Sequence, residues 1–439
     1  MSFLWLLHLS LLFSSFFHLF SISSAKSITL SLFRPSPIGN RLDTLKYHTA
    51  ASLSRAHHLK HTIQLYPRSY GGYSVSLIRF GTPPQNLSFM MDTGSSLVWF
   101  PCTTKYTCTH CNISKADPTF IPKLSSSFKI VTCNSPQCGL LFGPGLKCKY
   151  PTGTCGYQLT YELGNTTGLL VSESLTIPGL SVANFTAGCS ISSADVPPGG
   201  VVGFGRSPVS LPSQLGLKAF SYCLVSHDFD DNTTMSSDLV LTTTPGGGCK
   251  RPSAKIQYTL FVSNPAFPHF YYVWLQNISI GGVHVKVPAN YLALDAKGNG
   301  GTIVDSGTTV TQMEKPVFDL VFKELKRQVG NNYSRASNIE QEIGLKPCYN
   351  VGVDHKNKPQ LPQLTFYFQG GVEMVLPLPN YFTYVDNDSS VVCMTIQNYG
   401  ELERGPAIIL GNYQQQDYYM EYDLENNRLG ILQHDCKST

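Results

Sequence analysis

The sequence predicts an all-β protein made of two similar lobes. Charged residues are only 14% of the 439-residue chain, which contains 37 Gly, 28 Pro, 23 Tyr and 24 Phe, a composition typical of strands joined by many turns. An apolar run ending in Asp92-Thr93-Gly94 recurs 213 positions later as a run ending in Asp305-Ser306-Gly307. An apolar element containing Gly203 lies 111 positions after the first Asp, and one containing Gly411 lies 106 after the second. This matched spacing indicates an internal duplication.

The N-terminal residues differ from the rest of the chain. Residues 3–22 are almost wholly apolar or Ser, and no Lys or Arg precedes Lys26, so residues 1–25 are predicted to be a secretory signal peptide. A signal anchor is the alternative, because the run is long enough to span a bilayer. Residues 26–66, with a helix-like stretch from Leu45 to Leu65, are interpreted as a basic pro-segment that covers an acidic cleft until the pH falls; a solvated basic arm is the alternative.

The formal net charge of +4 belongs to this segment, which has six Lys or Arg against one acid, Asp43. The remainder has 26 basic and 27 acidic residues, so nothing in the charge balance indicates a nucleic-acid partner. No later run is apolar enough to span a bilayer, and we expect no stable membrane anchor. Eight Asn-X-Ser/Thr sequons and 13 Cys, all from Cys102 onward, predict a secreted protein with disulfides.

Residues 67–255 are predicted to form the N-terminal lobe. Tyr73 to Phe80 alternates like a strand, and a Gly-Thr-Pro-Pro turn leads to the strand that ends at Asp92. Residues 102–155 contain seven Cys and few periodic hydrophobic residues, so we expect disulfides to stabilise this insert. Within it, Cys108-Thr-His-Cys111 resembles half a zinc site, but in a secreted chain a disulfide is favoured and no metal is expected.

The later elements follow the same reasoning. Residues 157–177 predict a long hairpin with Tyr161 at its shoulder, and the polar stretch from Asp228 to Arg251 is expected to be a surface excursion. In the C-terminal lobe, residues 256–439, Lys315 to Val329 has apolar residues along one face and predicts a helix that belongs to the core. Tyr418 to Leu432 predicts two strands around an Asn-Asn turn.

Together these motifs resemble the pepsin-like aspartic proteases. The resemblance rests on Asp92-Thr-Gly-Ser-Ser with Trp99 downstream, on Asp305-Ser-Gly-Thr-Thr, on the two apolar-Gly elements and on Tyr161. The cysteine-rich insert and two further phrases, Phe220-Ser-Tyr-Cys-Leu and Gly411-Asn-Tyr-Gln-Gln-Gln, narrow the resemblance to the plant nepenthesin-like branch. That branch has no saposin-like insert. The match runs from Tyr73 to Cys436 and implies the bilobal pepsin-like fold, with an active-site cleft between two pseudo-symmetric lobes.

The resemblance implies that Asp92 and Asp305 are the catalytic pair. Two carboxylates that share a site cannot both ionise cheaply, so together they supply the base and the acid that peptide hydrolysis needs. By resemblance, a hydroxyl in each motif hydrogen-bonds its carboxylate, and a flap carries Tyr161 within reach of Trp99, although both could be core aromatics. The residues expected to support the pair are Thr93, Gly94, Ser95, Trp99, Tyr161, Ser306, Gly307 and Thr308.

The expected function is a secreted, acid-active aspartic endopeptidase that cleaves polypeptides between bulky apolar side chains. It would act as a monomer without a cofactor, in the cell wall space or, alternatively, the vacuole. A non-catalytic binding or inhibitor protein on the same scaffold is the competing class, but such plant proteins typically lack an intact catalytic pair, which this chain keeps. Cleavage of a single signalling partner is a third reading. The chain contains no Gly-X-Ser-X-Gly, His-Glu-X-X-His or phosphate-loop motif.

Two departures from the family pattern stand out. The chain has Glu162-Leu163-Gly164 after the flap tyrosine, where relatives usually have Gly-Asp-Gly; this predicts a stiffer flap with an added charge. The family framework resembles twelve cysteines, which leaves Cys249 as the odd thiol. The sequence does not determine how the other twelve pair.

Overall fold

The computed structural model describes the chain in twelve segments, namely residues 27–33, 71–75, 77–111, 118–142, 153–161, 164–196, 199–225, 237–243, 254–352, 359–386, 388–401 and 404–436. The predicted signal peptide, the helix-like stretch from Leu45 to Leu65, Glu162 and Cys249 lie outside these residues. The described residues are mostly strand with a few short helices, which confirms the all-β prediction.

The first half of the chain contributes fourteen strands, two α-helices and one 3₁₀ turn within the described segments. They are β1 (Ser27–Phe33), β2 (Ser74–Val75), β3 (Arg79–Phe80), β4 (Gln85–Asn86), β5 (Phe89–Asp92), β6 (Trp99–Pro101), β7 (Thr107–Thr109), the 3₁₀ turn Pro122–Leu124, β8 (Lys129–Ile130), α1 (Pro136–Phe142), β9 (Gly156–Thr160), β10 (Asn165–Ile177), β11 (Leu180–Ala194), β12 (Gly200–Gly203), α2 (Leu211–Gln214), β13 (Ala219–Cys223) and β14 (Ser237–Thr242).

The second half adds sixteen strands and five helices among the residues described. They are β15 (Gln257–Val262), β16 (Tyr272–Val273), β17 (Leu275–Ile280), β18 (Val283–His284), α3 (Ala289–Leu292), β19 (Thr302–Val304), β20 (Thr311–Met313), α4 (Lys315–Val329), β21 (Ser334–Arg335), α5 (Ser337–Ile343), β22 (Cys348–Asn350), β23 (Leu364–Phe368), β24 (Val372–Val375), α6 (Leu378–Tyr381), β25 (Phe382–Tyr384), β26 (Val391–Met394), β27 (Ile396–Asn398), β28 (Ile408–Leu410), α7 (Asn412–Gln415), β29 (Tyr418–Asp423) and β30 (Arg428–Gln433).

The two halves repeat one arrangement of strands around each Asp motif. In the first half β5 runs parallel to β12, with Asp92 opposite Gly203, and β6 crosses antiparallel to β12. In the second half β19 runs parallel to β28, with Val304 opposite Leu410, and β20 is antiparallel to β28. Asp305 directly follows β19, and Gly411 directly follows β28. The matched spacing in the sequence therefore corresponds to a matched strand pairing.

A central sheet joins the two lobes. β13 pairs with β14 on one side and with β29 on the other, and β29 continues through β30 to β15. Aromatic residues from both halves pack on this sheet: the rings of Phe220 and Tyr422 stack with centroids 4.3 Å apart, and Tyr271 meets Tyr422 edge-on at 4.8 Å. The lobes therefore share one continuous hydrophobic core beneath the site.

One strand of this sheet differs from the sequence-based expectation, and another lies where the sequence analysis made no prediction of secondary structure. The polar stretch from Asp228 to Arg251 was expected to be a surface excursion, but it contains β14, in which Leu239 and Leu241 are buried. Leu239-Val240-Leu241 is a short apolar run typical of a buried strand, but the surrounding Thr, Asp and Gly obscure this signal. β1, within the predicted pro-segment, pairs antiparallel with β14 and with β2.

The hairpin and helix predictions agree with the structure. β9 and β10 form the expected hairpin, and Tyr161 immediately follows β9. α4 spans Lys315–Val329 and buries Phe318, Val321 and Leu325, so its apolar face belongs to the core. β29 and β30 enclose the Asn426-Asn427 turn.

Disulfides tie distant parts of the chain together. Cys102–Cys189 and Cys138–Cys155 fasten the cysteine-rich insert, and Cys108–Cys111 is a disulfide, as the sequence favoured, and not half of a zinc site. In the second half Cys348 pairs with Cys393, while Cys223–Cys436 links the C-terminal end to β13. No helix in the described part of the chain is long and apolar enough to cross a membrane.

Candidate active site

Asp92 lies at the end of β5, where an apolar strand delivers a carboxylate into the protein interior. The residue is fully buried. Its Oδ1 accepts a hydrogen bond from the amide of Gly94 at 2.8 Å, and its Oδ2 accepts one from the hydroxyl of Ser95 at 2.5 Å. These two donors compensate for the water that the carboxylate loses on burial.

Asp305 occupies the equivalent place after β19. Its Oδ1 accepts from the amide of Gly307 at 2.8 Å, and its Oδ2 accepts from the hydroxyl of Thr308 at 2.7 Å. The two carboxylates thus have the same pair of donors, an amide two residues on and a hydroxyl three residues on. The repeated sequence motif produces a repeated hydrogen-bonding pattern.

Thr93 and Ser306 link the two loops directly. The amide of Thr93 donates to Oγ of Ser306 at 3.1 Å, and the amide of Ser306 donates to Oγ1 of Thr93 at 2.9 Å. Each hydroxyl in turn donates to a strand carbonyl of the opposite loop, that of Val304 at 3.2 Å and that of Met91 at 3.4 Å. This reciprocal arrangement satisfies four buried polar groups and fixes the two Asp loops relative to each other.

Two further predicted residues lie in contact above the site. Nε1 of Trp99 donates to the hydroxyl of Tyr161 at 2.6 Å, and the two rings lie 6.3 Å apart. Trp99 is fully buried, whereas Tyr161 is half-buried at the end of the β9–β10 hairpin. The hydrogen bond therefore connects a fixed core residue to the hairpin that borders the pocket.

The Asp305 loop is also held by residues that the sequence did not indicate as site residues. Nε2 of Gln415 donates to the carbonyl oxygens of Leu410 at 2.9 Å and Asp305 at 3.3 Å. The hydroxyl of Tyr222, from the other half of the chain, donates to Oε1 of Gln415 at 2.5 Å. Burial raises the pKa of Tyr222 well above its ordinary value, and the nearby Tyr422 hydroxyl and Asp305 carboxylate raise it further.

Asn412 adds a second support of this kind. Its Nδ2 donates to the carbonyl oxygens of Gly71 at 2.8 Å and Ser306 at 3.1 Å, so it connects the first described residue before β2 to the second Asp loop. Both Asn412 and Gln415 belong to the phrase Gly411-Asn-Tyr-Gln-Gln-Gln, which the sequence marks only as a family resemblance. A run of polar residues directly after a buried strand was the available signal for their role.

Both carboxylates line one open pocket with a volume of about 630 Å³. Its walls come from the Asp92 loop, from the β9–β10 hairpin with Tyr161, from residues 206–209 after β12, and from residues 268–270 before β16. Apolar residues such as Leu97, Leu159 and Ile303 cover much of its surface. A concave, largely apolar pocket that also contains two carboxylates is a candidate binding site.

No group of three or more His, Cys, Asp or Glu among the described residues is arranged to hold a metal ion. The carboxylates of Asp92 and Asp305 each accept hydrogen bonds from protein donors. The arrangement is suited to proton transfer at a pair of carboxyl groups.

Comparisons with known proteins cover most of the chain. The family profile described as "Xylanase inhibitor N-terminal" matches residues 73–241, and the one described as "Xylanase inhibitor C-terminal" matches residues 270–433. A probable aspartyl protease of Arabidopsis thaliana is 34% identical over 424 residues, which covers 85% of this chain and 84% of that protein. Aspartic proteinase nepenthesin-2 of Nepenthes gracilis is 32% identical over 363 residues, covering 82% of this chain and 77% of that protein.

Solved structures show the same fold at lower identity. The crystal structure of edgp superposes with a TM-score of 0.68 at 18% identity, covering 94% of this chain and 96% of that one. Basic 7S globulin from soybean gives a TM-score of 0.64 at 16% identity, over 93% and 96% of the respective chains.

Proposed function

This chain belongs to the plant pepsin-like aspartic proteases of the nepenthesin-like branch, and we propose that it is a secreted endopeptidase acting at acidic pH through Asp92 and Asp305. The observation that carries the proposal is the matched environment of the two carboxylates in one pocket. Each accepts one amide and one hydroxyl hydrogen bond, and their loops are joined by Thr93 and Ser306. A scaffold that only bound a partner would not need this symmetry at buried acids.

The proposed reaction uses one protonated and one ionised carboxyl group. The ionised group takes a proton from a water molecule, whose oxygen attacks the peptide carbonyl carbon, while the protonated group gives its proton to the carbonyl oxygen. Collapse of the tetrahedral intermediate breaks the C–N bond, with a proton delivered to the leaving nitrogen. The products are a carboxylic acid and an amine, and the pair returns to its starting protonation. Acidic conditions favour this state because one carboxyl must hold a proton.

Other residues have supporting roles in this proposal. Tyr161 covers the substrate from the β9–β10 hairpin, and Trp99 positions Tyr161 through their hydrogen bond. Ser95 and Thr308 orient the carboxylates, while Gly94 and Gly307 supply the close amides. Secretion is supported by the five disulfides between described cysteines. We propose that residues 1–25 and 26–66 are removed before the enzyme acts.

A second candidate function is non-catalytic binding or inhibition on the same scaffold. The description of both matching family profiles as xylanase inhibitor domains favours it. In that case Asp92 and Asp305 would be structural, and the pocket or another surface would hold a partner protein.

One experiment separates the two functions. The chain is expressed without residues 1–25, acidified, and incubated with a denatured protein substrate in the presence or absence of pepstatin, alongside Asp92→Asn and Asp305→Asn. Pepstatin-sensitive cleavage that both variants lose supports the endopeptidase. A correctly folded and processed protein that cleaves nothing but binds a glycosidase tightly supports the inhibitor.

A further inference from the structure

The pocket contains two basic side chains that the proposed hydrolysis does not use. Arg206 and His269 line it together with Asp92 and Asp305. Both acids already accept hydrogen bonds from their own loops. The two basic residues come from different halves of the chain, and neither occurs in a motif that sequence analysis singled out as a site.

Aromatic and amide contacts hold Arg206 in place. Its guanidinium lies 5.4 Å from the ring centroid of Phe261 and 5.8 Å from that of Tyr271, and its Nη2 donates to Oδ1 of Asn427 at 2.7 Å. No Asp or Glu of the described segments forms an ion pair with it. By contrast, the neighbouring Arg428 pairs with Asp423 at 2.8 Å. A guanidinium has five N–H donors, so Arg206 keeps most of them and its full charge for a ligand.

His269 adjoins Arg206 through the backbone. The amide of Arg206 donates to the carbonyl of His269 at 3.0 Å, and the imidazole packs 4.0 Å from the ring of Phe270. Burial lowers the pKa of His269 from its ordinary value. A neutral imidazole still has one N–H donor, so His269 can donate a hydrogen bond whether or not it is protonated.

The segment bearing Arg206 is locked against the loop bearing Asp92. The amide of Gly205 donates to the carbonyl of Ser95 at 2.8 Å, and the amide of Ser207 donates to Oγ of Ser96 at 3.4 Å. A Cβ on Gly205 would lie 2.6 Å from Oγ of Ser96, so the two segments are in close contact. The backbone of Arg206 therefore has a fixed position relative to the Asp92 loop.

We propose that Arg206 and His269 form a subsite that binds a carboxylate of the polypeptide substrate on one side of the scissile bond. The inference rests on the proposed endopeptidase function and specifies its substrate preference. A planar guanidinium matches a carboxylate in geometry, and the rings of Phe261 and Tyr271 keep the Arg206 guanidinium preorganised. The enzyme then prefers peptides with Glu or Asp at one defined position, in addition to the bulky apolar residues beside the cleaved bond.

The test uses pairs of amide-capped peptides that differ only by Glu or Gln, with the variable residue moved through each of the four positions on either side of an apolar cleavage site. The readout is the Glu/Gln ratio of kcat/KM for the wild type, Arg206→Gln, Arg206→Lys and His269→Ala. Arg79→Gln, which removes an exposed positive charge outside the pocket, is the matched control. Repeating the Gln series with free C-termini distinguishes a side-chain carboxylate from a terminal one.

We expect the wild type and Arg79→Gln to prefer the carboxylate at one position by about tenfold, and Arg206→Gln to bring that ratio close to one. Arg206→Lys and His269→Ala should retain an intermediate ratio, which keeps the test valid if Arg206→Gln does not fold. If the peptides are cleaved but the Glu/Gln ratio of kcat/KM is close to one at every position, the subsite is overturned and the endopeptidase function is not. Failure to cleave any peptide would reject the proposed function and the subsite together.

Discussion

Gly94 of the first Asp loop lies directly against the carboxylate of Asp305 in the second. A Cβ on Gly94 would be 2.5 Å from Oδ2 and 2.6 Å from Cγ of Asp305, closer than any real Cβ contact. The carboxylate has little freedom to move aside, because Gly307 and Thr308 hold its two oxygens. The absence of a side chain at residue 94 is therefore a geometric requirement of the pair.

The first prediction follows from this contact. Gly94→Ala should lower kcat/KM at least 100-fold, because the added methyl displaces the Asp305 carboxylate from its donors. Thermal unfolding should show only a modest loss of stability, of about 1–3 kcal/mol. Gly139→Ala in helix α1, where a Cβ meets nothing within 4 Å, is the control and should be neutral or slightly stabilising. A fully active Gly94→Ala enzyme would contradict the proposed role.

The second prediction concerns the reciprocal bonds between Thr93 and Ser306. Thr93→Val and Ser306→Ala should each reduce the free energy of unfolding by about 1–3 kcal/mol, because each leaves one buried amide, that of Ser306 or that of Thr93, without its acceptor. The two substitutions remove different hydrogen bonds that join the same two loops. The double variant should lose less than the sum, because either single variant already loosens the link between the loops. Urea unfolding of the four proteins measures the difference. Strict additivity would show that the two side chains do not act together.

The third prediction tests the hydrogen bond between Trp99 and Tyr161. Tyr161→Phe keeps the ring but removes the acceptor of the Trp99 Nε1–H, so kcat/KM should fall by roughly 2- to 10-fold. Steady-state kinetics on a peptide substrate measures it. Tyr291→Phe, a half-buried tyrosine of the other lobe outside the pocket, should have no effect on kcat/KM. Equal losses in both variants would argue against a specific role for the Tyr161 hydroxyl.

The fourth prediction is a pH dependence of stability from Asp423. Burial disfavours its charged form, but hydrogen bonds from Asn426 and Arg428 outweigh burial, so the pKa of Asp423 lies below its ordinary value of 3.8. A depressed pKa means that the stabilisation is fully present above the unfolded-state value and is lost as the pH falls through the folded one. Asp423→Asn should therefore cost about 1–2 kcal/mol at neutral pH, and this cost should diminish below about pH 4.

Denaturant unfolding of the wild type and Asp423→Asn between pH 2 and pH 7 measures this dependence. Asp319→Asn is the control, because its pairing with Lys315 is exposed to solvent and should contribute at most about 0.5 kcal/mol at any pH. A constant difference between wild type and Asp423→Asn across the range would show that the carboxylate charge is not what stabilises the turn.

The sequence by itself determined the all-β class, the duplication around Asp92 and Asp305, and the local elements. Apolar runs, turn residues and the spacing of Phe318, Val321 and Leu325 depend on neighbours a few positions away, so their patterns are visible in the chain. The sequence also favoured disulfides over a metal for Cys108 and Cys111, because the chain is predicted to be secreted. It did not determine that these two cysteines pair with each other, which only the structure shows.

Only the tertiary structure decided which distant groups meet. Cys223 pairs with Cys436 across 213 positions, β14 is a buried strand inside a polar stretch, and Arg206 lies beside His269 in the pocket. These contacts depend on how strands from both halves register in the central sheet, which no local pattern specifies. The physical reason is that burial and charge pairing are properties of packed surfaces, and each surface here is assembled from segments far apart in the chain.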